Sequence, residues 1–193
     1  MKTRRWTTAV AYPVLGALLL AASTSSRVSA QGHDARRSQE QGKKRVSALV
    51  EVVRKATSRY RDVTVAEADG YALQFGCVTG GDVGAMGLHY VNGPLVMDGL
   101  LDATRPEIVI YEPTSNGGRK LIGADYLVLA ESWDATHSSP PELMGQLFHL
   151  FEAPNRFGLP AFYTLHVWAW KDNPTGTFVN WHSDVSCDAF DGQ

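Results

Sequence analysis

The stretch PEIVIYEPTSNGGRKLIGADYLVLA (106–130) constrains the fold more than any other part of this chain. PEIVIYEP (106–113) is rich in β-branched residues and bounded by proline at both ends. PTSNGGR (113–119) is a turn segment, and KLIGADYLVLA (120–130) is the natural hairpin partner beyond it. A chain that returns on itself over so short a connection builds an antiparallel sheet.

Other segments extend that sheet. YALQFGCV (71–78) and AMGLHYVN (85–92) are short, β-rich and punctuated by glycine. FYTLHVWAW (162–170) and TFVNW (177–181) are expected as a second hairpin around KDNPTG. Two helices are predicted. In RVSALVEVVRKATSRY (45–60), Val46, Leu49, Val50, Val53 and Ala56 fall on one helical face, a single stripe suited to covering a sheet. Ser139-Pro140-Pro141-Glu142 has the form of a helix start, and ELMGQLFHLF after it would bury Leu143, Met144, Leu147, Phe148 and Phe151. The expected architecture is α+β: a curled antiparallel or small barrel-like sheet, with the N-terminal amphipathic helix and a second short helix packed on it.

The first 30 residues have the form of an export signal. Lys2, Arg4 and Arg5 precede an apolar run (7–22), and Val28-Ser29-Ala30 offers small residues at a cleavage position. Pro13 and Gly16 break that run, so no stable membrane span is expected after cleavage. Arg4-Arg5 leaves a twin-arginine route open beside the general one. QGHDARRSQEQGKK (31–44) has almost no apolar content and is predicted to be a disordered linker, leaving 45–193 as one globular domain. From Asp62 onward seventeen acidic residues face five basic ones, which argues against nucleic acid and anionic membrane surfaces. In a periplasmic or extracellular protein the two cysteines, Cys77 and Cys187, are expected to pair.

The chemistry-bearing residues are two histidines in apolar strands. Alternation puts Thr164, His166, Trp168 and Trp170 on one face, and Ala85, Gly87, His89 and Val91 on another strand's face. A buried imidazole without a partner costs roughly 1–3 kcal/mol, so each must be hydrogen-bonded or coordinated. The nearby acids are Glu107, Glu112 and Asp125. If Glu112 lies opposite Lys120, Glu107 lies opposite Asp125; a slip of one residue puts Glu112 there instead. Opposed carboxylates repel unless a proton, water or a cation separates them. His89, His166, Glu107 and Asp125, with Glu112 as a substitute, make the ligand set of a mononuclear site for zinc, iron, manganese or copper. Serine-nucleophile motifs, phosphate-cradling loops and basic–aromatic patches are absent.

GAMGLHYVN (84–92), RPEIVIYEP (105–113), LIGADYLV (121–128) and LHVWAWKDNPTGTFVNWHSDVSC (165–187) resemble the motifs of a group of exported bacterial proteins of unassigned function. The resemblance carries His89, Glu107, Glu112, His166, Cys77 and Cys187 onto this chain. Asp125 stands where that group's pattern has glutamate, and His182-Ser183 replaces Asn-Pro. It implies an exported, disulfide-closed domain and no particular reaction. Three functions fit the residues: a metal site, with catalysis left open; a metal-free module holding a small molecule in a Trp- and Tyr-lined pocket; or a structural protein with a buried polar network.

Overall fold

The computed structural model describes residues 25–192. The chain divides into two compact units, Met1–Gln39 and Glu40–Gln193. The expected signal's apolar run (7–22) lies outside the described residues, which include no helix long and apolar enough to cross a membrane. Helix α1 spans Ser25–Thr57. Over 31–44, where the sequence predicts a disordered linker, the backbone is helical, yet every side chain from 36 to 45 is exposed. Gln, Arg, Lys, Glu and Ala make up most of that stretch and favour helix strongly. Local propensity, not packing, accounts for the difference.

All strands belong to the second unit. A 3-10 turn (Ser58–Arg61) and helix α2 (Val63–Ala68) precede β1 (Ala72–Thr79) and β2 (Ala85–Val91). Helix α3 (Gly93–Asp98) leads to β3 (Ile108–Pro113) and β4 (Arg119–Leu129). Helix α4 (Ala130–Asp134) precedes β5 (Glu142–Leu143), β6 (Gln146–Leu147), β7 (His149–Phe151) and β8 (Phe162–Val167). Six strands form a curled half-barrel sheet in the order β1-β2-β3-β4-β8-β7, every pair antiparallel.

Alternation divides the sheet into two faces. On the outer face, Ala124, Tyr126 and Val128 of β4 and Leu165 and Val167 of β8 pack against Leu49 and Val53 of α1. The predicted stripe of α1 is thus the packed one. Val109 lies opposite Ala124, so the cluster of Ala66 from α2 with Leu88, Tyr90, Val109 and Tyr111 covers the same side. Burying a leucine or valine side chain contributes about 1.5–3 kcal/mol, and Leu49 and Val53 are both fully buried. The inner face is left for the site. Cys77 and Cys187 are bridged with their Cα atoms 5.7 Å apart, tying the C-terminal segment to β1.

Two expected elements are not formed. Residues 139–151 make no helix; they form the β5–β6 hairpin and then β7. Met144 and Gly145 both have positive φ, 50° and 87°, the conformation of a two-residue hairpin turn with both central residues left-handed. That turn stops any helix at Leu143. Residues 177–181 likewise form no strand. β8 ends at Val167, and Trp168 reaches across by single bonds, its backbone N–H to Thr177 O (3.0 Å) and its Nε1–H to Val179 O (2.6 Å).

Candidate metal centre

Cross-strand pairing sets Asp125 of β4 directly opposite His166 of β8 on one side and Ile108 of β3 on the other. Opposed residues point the same way, so these side chains share the inner face. His89 of β2 lies opposite Ile110, two residues from Ile108, and joins them. In a flat sheet, the three strand spacings from β2 to β8 would separate these histidines by about 14 Å. The curl brings His89 Nε2 and His166 Nε2 to 3.4 Å. Gly87 permits part of that approach: its φ is 89°, and a Cβ there would sit 2.6 Å from Tyr111 O.

The Gly87 carbonyl also fixes a tautomer. His89 Nδ1 lies 3.3 Å from it, so Nδ1 carries the hydrogen and Nε2 presents a lone pair. His166 has His89 Nε2 at one ring nitrogen and Asp125 Oδ1, 3.5 Å away, at Nδ1. If the hydrogen is on Nδ1, two imidazole lone pairs face each other. If it is on Nε2, a bare Nδ1 faces a carboxylate oxygen. In the structure Nδ1 has no hydrogen-bond partner at all, which is costly for a side chain only 3% exposed. A cation held by these atoms removes either conflict. Thr164 Oγ1 donates to Asp125 Oδ1 at 2.5 Å and orients the carboxylate.

His89, Asp125 and His166 each offer a ligand atom, all within 4.8 Å of one another, and the group could hold a metal ion. Tetrahedral ligands at about 2.0–2.1 Å lie roughly 3.3–3.4 Å from each other, close to the observed imidazole separation. Burial pushes the His89 pKa down to about 4, helped by His166, and pushes His166 down to about 3. Burial raises Asp125 to about 6. At neutral pH both imidazoles are therefore neutral, the form that metal coordination requires, and a bound cation would favour the ionised form of Asp125 that burial opposes.

The other candidates stand apart. A bulge between Ile110 and Tyr111 shifts the β3–β4 register: Glu112 does face Lys120, but Ile108, not Glu107, faces Asp125. Glu107 Oε2 accepts a hydrogen bond from Leu127 N (3.1 Å), beyond the end of β3. Glu112 is paired with Lys171 Nζ at 2.6 Å. His149 is exposed on β7. His182 is fully buried, with its ring edge-on to Trp168 and its Nδ1 accepting from Asp184 N. Nothing in the sequence around His182 signals that burial.

A cavity of about 30 Å³ opens onto the cluster, walled chiefly by Phe75, Phe151, Phe157, Phe162, Ile108 and Leu127. No Trp or Tyr lines it, which corrects the expected Trp- and Tyr-lined pocket. The tryptophans go elsewhere: Trp168 enters the core, and Trp170 turns to the α1 side, where its Nε1–H donates to Thr57 Oγ1. Strand alternation signals Thr164, two residues before His166. Three of the four phenylalanines come from a β1 bulge (Phe75), a loop (Phe157) and the short edge strand β7 (Phe151), where no periodicity marks them. In comparisons with known proteins, no family model, curated protein or solved structure matches this chain.

Proposed function

We propose that the inner face of the sheet is a mononuclear site for a divalent transition metal, in a protein exported from the cytoplasm. His89, His166 and Asp125 are its ligands. One observation carries this reading: two buried imidazoles and a carboxylate converge at 3.4–3.5 Å, and while both rings are neutral and the carboxylate is ionised no placement of the ring hydrogens satisfies every contact. A buried polar network serving only structure would be expected to pair its members. Three protein ligands beside a cavity leave a coordination position open, the arrangement of catalytic rather than purely structural zinc sites. An ion there would act as a Lewis acid toward a molecule in the cavity. Zinc, iron, manganese and copper all accept this ligand set.

Export is supported by the signal-like first 30 residues, by the bridged Cys77 and Cys187, and by the motif resemblance to exported proteins. The metal is tested by dialysing the protein against each of the four ions and measuring bound metal. Wild type should retain one equivalent of at least one ion; His89→Ala and Asp125→Asn should retain none. A folded wild type that retains no metal refutes the proposal.

A further inference from the structure

The cavity over the cluster does not end there. A second chamber, of about 250 Å³, adjoins it and shares Phe75, Ile108, Leu127 and Leu159 as common walls. Val96 and Met97 of α3 contribute to its outer side. The inner chamber is small and mostly apolar but reaches His89, Asp125 and His166, while the outer one is larger and has no ionisable residue in its wall. Met97 and Phe75 are 73% and 48% exposed, so the apolar end opens to solvent through side chains that water disfavours.

Phe75 marks the junction. It sits in the bulge between Gln74 and Cys77 at φ 64°, a left-handed conformation rare for a bulky residue. Strain of this kind persists where the surroundings enforce it, and it clusters at ligand-handling sites. Here it turns the ring toward Phe157, 5.5 Å away between centroids, on the wall common to both chambers.

We infer that this site binds an apolar molecule carrying a single terminal carboxylate: the aliphatic or aryl body fills the outer chamber and the head group meets the metal. The inference rests on the metal reading above. A divalent ion with two neutral imidazoles and one carboxylate leaves a net charge of about +1. Apart from the cluster itself, Thr164 and Gln74, the surrounding wall is apolar, and no lysine, arginine or second acid lines either chamber. A charge so placed is costly without a partner, and one monoanionic head neutralises it. The inner chamber has room for a group the size of one or two waters, so the head must be small and the rest of the molecule must lie outside.

The test uses the full chain loaded with cobalt(II), whose visible absorption reports on its ligands, with octanoate, acetate and 1-octanol as probes and binding normalised to the cobalt each sample holds. Octanoate should change the cobalt spectrum and saturate. Acetate should need at least about 100-fold more, and 1-octanol should leave the spectrum unchanged. Phe75→Asn, which tolerates positive φ, should weaken octanoate about tenfold by removing half-buried aromatic surface. Equal affinity for acetate and octanoate, no spectral change with octanoate, or wild-type affinity in Phe75→Asn overturns the inference. If the chain takes up no cobalt, the metal reading fails separately, and calorimetry on the metal-free protein decides the rest. Octanoate bound more tightly than acetate and weakened by Phe75→Asn then supports the apolar chamber; no octanoate binding, or parity with acetate, overturns it.

Discussion

Glu107→Gln should make the protein more stable, by an amount that grows as pH rises from about 4.5 to about 8 and is then constant. Glu107 is 1% exposed, and no cation among the described residues pairs with it. Burial pushes its pKa from the ordinary 4.5 up to about 8, against the pull of the hydrogen bond from Leu127 N–H, while Asp125 and Asp98 add to the rise. The native state therefore holds a proton between pH 4.5 and 8 that the unfolded chain has released. Stability from this group is fully present below pH 4.5 and is lost as pH rises through 8. A shift of that size corresponds to roughly 3–5 kcal/mol over the window. Glutamine matches the neutral acid in shape, and its Oε1 can accept the same bond from Leu127 N–H. Urea unfolding of both proteins from pH 5 to 9 isolates the effect, because groups that do not couple to Glu107 cancel in the difference. At pH 5 the two should agree within about 1 kcal/mol; at pH 9 the variant should be more stable by about 3–5 kcal/mol. A difference that stays flat with pH, or a variant that is weaker at pH 9, refutes the claim that Glu107 is buried as a neutral acid.

Three further outcomes follow from named contacts. Cys77→Ser with Cys187→Ser opens a link between residues 110 apart and should lower stability by about 4–5 kcal/mol on the loop-entropy account, read from the urea midpoint against the oxidised wild type. Thr164→Val removes the hydroxyl that orients Asp125 and should weaken metal binding about 10–100-fold in a competition titration with a chelator, with the fold retained by circular dichroism. Gly87→Ala forces a Cβ to within 2.6 Å of Tyr111 O at a φ of 89°; it should lower the thermal midpoint and the metal affinity together, since the carbonyl of Gly87 itself holds His89. A change in one without the other would show that Gly87 does not couple the sheet's curl to the site.

The sheet was legible where period-two alternation and turn chemistry agree. The hairpin 106–130 declares itself by proline, Asn-Gly-Gly and β-branched runs, and α1 by its apolar stripe. The region 139–151 was misleading because its apolar residues also fit a helical period, and the deciding fact, left-handed Met144 beside Gly145, has only one glycine to announce it. The site was half legible. His89, His166 and Asp125 could be singled out because polar groups in apolar strands need partners. Glu107 could not be placed, since a one-residue bulge at Ile110 and Tyr111 breaks the constant-sum register. The phenylalanine wall was hidden for a different reason: it is assembled from bulge, loop and edge residues that meet only once the sheet curls.

The most direct test of the metal centre is X-ray absorption at the metal edge of the loaded protein, read beside the same spectrum of His166→Ala. The account predicts a first shell of nitrogen and oxygen at about 2.0–2.2 Å, with the outer-shell signature of two imidazoles in wild type and a lost or single-imidazole signature in the variant. A wild-type spectrum without histidine scattering, or one that His166→Ala leaves unchanged, would contradict it.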